Sequence, residues 1–128
     1  MLVILDSSML MLPLETRINL SLEIKRLIQS NFEIVIPKII IEELENLVKE
    51  TNPSTQHKAR FALSLAENFK ILDSRIDTHA DEELERLADE YQAIIATNDT
   101  LLRKRLRKKG RTVISLRGKN RLSLFGHI

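Results

Sequence analysis

Apolar positions along the chain alternate between two kinds of pattern. Unbroken runs, Met1-Leu2-Val3-Ile4-Leu5 and Ala93-Ile94-Ile95-Ala96, read as strands buried on both faces. Segments 32–36, 69–72 and the β-branched 112–116 have the same character, which makes five strands. Between them the spacing turns helical. Leu20, Ile24, Leu27 and Ile28 mark one helix over 19–30. Ile40, Leu44, Leu47 and Val48 mark a second, with Pro37 suited to its first turn. Ala59, Ala62, Leu63 and Ala66 give a third helix a smooth face for close packing, and Ala80, Leu84, Leu87, Ala88 and Tyr91 line a fourth. A fifth spans 100–109 and stops at Gly110. Segment 51–55 is the most loop-like, and the tail 117–128 is left unassigned, as a final hairpin or an edge segment. Strands alternating with helices predict an α/β fold: a three-layer α/β/α sandwich around a five-stranded, mainly parallel sheet. At 128 residues, the chain reads as a single domain spanning 1–128.

Composition narrows the function classes. With no Cys, disulfides and thiolate metal sites are excluded. No run approaches the roughly 18 apolar residues of a membrane span, so no membrane partner is expected. The N-terminus lacks a basic region and meets Asp6 directly, which reads as a first strand rather than a signal peptide, and the absence of Cys fits a cytoplasmic protein. The formal charge of +2 conceals a division. Residues 1–99 hold 10 Lys/Arg against 18 Asp/Glu, whereas residues 100–128 hold 10 Lys/Arg and no acid. Such a split suits cations at the acidic part and a polyanion at the basic part, although a solvated charged surface explains charge alone equally well.

The acids are where candidate chemistry concentrates. Asp6 follows the first strand and Asp99 the fourth, so in a parallel sheet both emerge at the carboxyl edge, where open α/β folds place ligands. Singly, each reads first as a cap: Asp6 or Ser7 at a turn, Asn98 or Asp99 at the fifth helix. In the second helix Glu43 borders the buried stripe while Glu42 points to solvent. In the fourth, Asp81 lies at the border of the stripe and in the first turn, where an acid also complements the helix dipole. His79, alone among carboxylates, suggests a turn or cap rather than zinc. Jointly, four acids from four βα units at one edge would repel one another. A hard divalent cation relieves that repulsion, and oxygen-only donors point to Mg²⁺ or Mn²⁺.

These residues resemble the PIN-domain nucleases over nearly the whole chain. The family's Asp-Thr-Asn after strand one is matched by Asp6-Ser7-Ser8, with Ser8 departing from the usual Asn and leaving a supporting hydrogen bond in question. Its Pro-then-Glu-Leu pattern is matched by Pro37 and Glu43-Leu44, its third acid and following Ala by Asp81 and Ala88, and its Thr-x-Asp by Thr97-Asn98-Asp99. Segments 80–84 and 114–118 look most like the archaeal and eukaryotic ribosomal-RNA-processing (Fcf/Utp-type) branch, with the VapC toxin branch as the nearer rival.

The resemblance implies a single-strand-selective endoribonuclease. Asp6 and Asp99 would be the main metal ligands, Asp81 a ligand or outer base, and Glu43 would act through water. Ser7, Thr97 and Asn98 would support them. Arg103, Lys104, Arg105, Arg107, Lys108, Arg117 and Lys119 would contact RNA, alongside Lys109, Arg111 and Arg121. With one Tyr, four Phe and no Trp, little stacking surface is evident. A homodimer through exposed apolar residues of 40–66, and a ribosome-assembly or antitoxin partner, belong to the same expectation.

Two further classes compete. A non-catalytic RNA-binding or assembly module with the same fold needs the basic tail but not the acids. A phosphoacceptor receiver domain wants an acid pair after strand one, and Asp6-Ser7-Ser8 supplies one acid, which also disfavours an Asp-x-Asp phosphatase.

Overall fold

The computed structural model describes residues 1–127; Ile128, the last residue of the tail, lies outside the described residues. In chain order the elements are β1 (Leu2–Leu5), α1 (Ser7–Glu15), α2 (Leu20–Leu27), β2 (Glu33–Pro37), α3 (Lys38–Val48), α4 (Pro53–Ala66) and β3 (Lys70–Leu72). They continue with α5 (Ala80–Tyr91), β4 (Ile94–Ala96), α6 (Thr100–Lys108), β5 (Val113–Arg117) and β6 (Arg121–Phe125). One sheet runs in the order β3-β2-β1-β4-β5-β6. The first five strands are mutually parallel and β6 returns antiparallel to β5.

The expected three-layer α/β sandwich is therefore present, with six strands rather than five. The unassigned tail supplies the sixth, a hairpin partner of β5 turned at residues 118–120, where Gly118 takes φ +74°. A second difference is α1, which helical spacing did not reveal. Its sequence Ser7-Ser8-Met9-Leu10-Met11-Leu12-Pro13-Leu14-Glu15 is apolar nearly all round and so lacks an amphipathic stripe. Pro13 removes one backbone donor, and the helix closes within two residues of it.

The remaining elements follow from local chemistry. Asn52 caps α4 by accepting from the amides of Ser54 and Thr55, and Pro53 occupies the first turn. Ala59, Ala62 and Ala66 are buried and let α4 pack closely on α3 and α1. At the end of α6, Gly110 adopts φ +77°, a left-handed conformation open to Gly at little cost, and redirects the chain into β5.

The strand order places the ligand crevice. From β1 the chain steps to β2 and then β3, whereas β4 lies on the other side of β1 and leads on to β5. Right-handed crossovers then put α1–α4 on one face and α5 and α6 on the other. The reversal falls between β1 and β4, so the gap beyond their carboxyl ends is the switch point of the sheet.

Candidate active site

Asp6 leaves β1 at that switch point and is buried, with 5% of its surface exposed. Its Oδ1 accepts from the Met9 amide at 2.9 Å, which caps α1, and from the Ser8 hydroxyl at 2.8 Å. Its Oδ2 accepts from the hydroxyl of Thr97, at the end of β4. The capping reading and the candidate-ligand reading thus fall on one side chain. Burial pushes the Asp6 carboxyl up to about 6 against the lowering effect of these hydrogen bonds, and the nearby Glu43 charge adds to the rise.

Ser8 resolves the departure from the family pattern. Besides donating to Asp6, its Oγ accepts from the Asn98 amide at 2.8 Å and stands 3.3 Å from the Thr97 hydroxyl. One hydroxyl therefore ties the start of α1 to the loop after β4. Ser7 donates to Glu43 Oε1 at 2.5 Å, drawing α3 toward the same edge. Glu43 is half-buried and Glu42 exposed, as the helical geometry requires.

Asp99 caps α6. Its Oδ1 accepts from the amides of Leu101 and Leu102 at 2.9 and 3.1 Å, while its own amide donates to Thr97 Oγ1 at 3.0 Å. Asp81, in the first turn of α5, faces it. Partial burial and then the Asp99 charge raise the Asp81 carboxyl, and Arg105 works against both. Arg105 reaches Asp81 at 3.8 Å and the buried Glu85 at 2.9 Å.

The four acids thus meet at one sheet edge as two pairs, Asp6 with Glu43 and Asp81 with Asp99, rather than as one closed cluster. Among the described residues no three Asp, Glu, His or Cys side chains stand in a group that could hold a metal ion as placed. The donor chemistry nevertheless suits a hard divalent cation. Every donor is a carboxylate oxygen, and Asp6 is desolvated with hydroxyl and amide neighbours but no cation partner. His79 is exposed at the start of α5 and makes no side-chain cap.

The expected RNA-binding cations separate into two groups. Arg105 is paired with Glu85 and Asp81, and Arg107 donates to the Arg111 carbonyl. Lys109 and Arg111 pair with Glu85 and Asp89. Arg103 and Arg117 instead lie over the Phe125 ring, and Lys104, Lys108 and Lys119 are exposed. Sequence reading missed Glu85 as the hub of the first group. Its neighbours are on another helix, and no linear signal joins them.

Known proteins resemble this chain along most of its length. The PIN like domain profile matches residues 3–119. Ribonuclease VapC4 of Methanocaldococcus jannaschii is 34% identical over 126 residues, covering 96% of this chain and 95% of that protein. Ribonuclease VapC9 of Archaeoglobus fulgidus is 30% identical over 76 residues, covering 59% of this chain and 55% of that protein. Among solved structures, the PIN domain endonuclease Utp24 superposes with a TM-score of 0.78 at 24% identity, over 99% of this chain and 94% of that one. A domain of a functionally unknown protein from Methanocaldococcus jannaschii gives a TM-score of 0.68 at 18% identity, covering 93% of each chain. With the profile spanning nearly all of the sequence and the site at the switch point of the sheet, the chain belongs to the PIN-like domain family.

Proposed function

We propose that this protein is a metal-dependent endoribonuclease that hydrolyses RNA phosphodiester bonds with Mg²⁺ or Mn²⁺. The observation that carries the reading is Asp6: a buried carboxylate at the switch point, fixed by three donors, raised to about 6 and without a cation partner among the described residues. A charge left in that state is costly, and a hard cation at the edge is the natural relief. The names of the two ribonuclease relatives support the choice of RNA.

Asp6 and Asp99 would hold the ion most directly, with Asp81 beside Asp99 and Glu43 reaching it through water. A bound Mg²⁺ or Mn²⁺ supplies charge that polarises a scissile phosphate and lowers the pKa of an attacking water. Thr97 sets the spacing, since its hydroxyl donates to Asp6 and accepts from the Asp99 amide. Ser8 and Asn98 hold the loop that carries Asp99, and Ser7 holds Glu43. Basic side chains of α6 and the β5–β6 hairpin draw the polyanion to this edge.

The full-length likeness to Ribonuclease VapC4 favours a toxin-type setting with an antitoxin partner. The segments 80–84 and 114–118 favour ribosomal-RNA processing. The deciding experiment for the activity itself incubates an end-labelled, structured RNA in Mn²⁺, Mg²⁺ or EDTA, with wild type beside Asp99→Asn. Asn is as good a helix cap as Asp, so the variant keeps α6. Cleavage that requires metal and vanishes in Asp99→Asn is expected. RNA binding by both proteins without cleavage would overturn the enzyme in favour of a binding module.

A further inference from the structure

Arg103 of α6 and Arg117 of β5 share one aromatic ring. The Arg103 guanidinium carbon is 4.6 Å from the centre of the Phe125 ring, and that of Arg117 is 5.6 Å away. Neither guanidinium has an ion-pair or hydrogen-bond partner among the described residues, and no Asp or Glu occurs after Asp99. Two like charges gathered on one ring repel each other, and the ring's negative face offsets this only in part. A bound anion would offset the remainder.

The other side of α6 shows the contrast. There Arg105, Lys109 and the following Arg111 meet Asp81, Glu85 and Asp89 of α5 and are neutralised within the protein. The hairpin side keeps its charge available, as do the exposed Lys104 and Lys108. That side also adjoins the candidate active site. Arg103 lies one turn beyond Asp99, its amide donating to the Asp99 carbonyl at 3.0 Å. Ile114 is in register with Ala96, so Arg117, three residues further along, reaches the sheet edge where Asp99 stands. Exposed Lys119 extends the positive surface past the end of the strand.

We propose that Arg103, Phe125 and Arg117 form a phosphate-binding subsite that holds the backbone of single-stranded RNA beside the scissile position. It rests on the ribonuclease reading and adds to it a path: the strand crosses α6 on the hairpin side, not on the α5 side. Phe125 acts by fixing two guanidiniums in advance. This gives an aromatic residue a use that its sparse class did not suggest, as a platform for cations rather than for bases.

The test measures binding of a short fluorescent oligouridylate in EDTA, across a range of salt concentrations, by proteins whose thermal unfolding matches wild type. Each phosphate contact on a single strand contributes about 0.7 to the slope of log K against log salt. Arg103→Gln/Arg117→Gln is expected to bind at least tenfold more weakly, with a slope reduced by about 1.4. Lys38→Gln/Lys58→Gln removes the same net charge from cations paired with Asp73 and Glu15, and should leave the slope unchanged. Phe125→Leu keeps both charges and should weaken binding several-fold, whereas Phe125→Tyr restores it. Equal slopes for the two double variants, or wild-type affinity in Phe125→Leu, would overturn the subsite. Wild type that binds and shows these differences but never cleaves in Mn²⁺ would remove the nuclease reading and leave the subsite standing. Absence of RNA binding by wild type would remove both.

Discussion

Two carboxylate pairs share one sheet edge and are managed in opposite ways. Asp6 is enclosed, and its neighbours are hydroxyls and an amide that hold it in place without supplying charge. Asp81 is half-exposed beside Asp99, and its partner is a long cation that reaches in from α6. The first arrangement gives rigidity and leaves a charge uncompensated. The second gives compensation through a side chain able to withdraw. A site built this way has one fixed half and one adjustable half, and on the proposed reading an arriving cation would meet a competing charge only at the second.

Removing the fixed half should have the largest effect. Asp6→Asn is expected to lower RNA cleavage by more than about a hundredfold, since even groups that only support a metal ligand cost 10–100-fold. The same change should stabilise the metal-free protein at neutral pH. Because the folded carboxyl titrates near 6, above its ordinary 3.8, the folded state binds the proton more tightly. Wild-type stability therefore falls as pH rises from about 4 through 6 and levels above that. Asn mimics the protonated form and should gain up to about 3 kcal/mol at pH 8 but less than about 1 kcal/mol at pH 4. Urea unfolding at both pH values in EDTA measures it. A gain that is the same at both would show that packing, not charge, sets the cost.

Thr97→Val cuts the link between the two halves while keeping the shape of a buried residue. A loss of cleavage of at least about tenfold is expected, because Asp6 loses a donor and the Asp99 amide loses an acceptor. The inflection of stability with pH should also move upward, since one of the bonds lowering the Asp6 carboxyl is gone. If the inflection stays in place, the hydroxyl is not bonded to Asp6 in solution.

Arg105→Gln probes the adjustable half and should have the smallest effect. Its pairs are exposed on the arginine side, so stability should change by less than about 1 kcal/mol. Manganese binding, followed by calorimetry without RNA, should tighten a few-fold once the competing cation is gone. Weaker manganese binding would mean that Arg105 orients Asp81 rather than competes for it.

What could be read from the sequence follows the reach of each interaction. Asp6 and Asp99 were legible because an apolar run ending in an acid is a local signal, and Glu43 because helical spacing fixes which side of α3 it borders. Strands β1 to β5 were legible for the same reason. Helix α1 was hidden because Met9 to Leu14 has no polar face to set a period, so strand and helix cannot be told apart by spacing. The role of Ser8 depends on the Asn98 amide, 90 positions away, and that of Glu85 on Arg105, 20 positions away. Such partners are chosen by the packing of α1 against the β4 loop and of α5 beside α6. The division of the acids into two pairs has the same origin: the sequence shows which edge they share, while side-chain spacing across it depends on how four separate elements settle.

The position of β1 inside the sheet carries a consequence for the order in which the chain is made. Until Ile94 to Ala96 leave the ribosome, β1 is an outer strand with one side open, and Asp6 has neither Thr97 nor Asp99 beside it. Translation from Leu72 to Ala96 takes on the order of seconds, at about 5–20 residues per second. That interval opens with two of the four site acids made, Asp81 joins them within it, and at its close Asp99 and the basic helix are still missing. On the proposed ribonuclease reading, a chain assembled in this order would be silent beside the message that encodes it and would become competent only after β4 closes the gap.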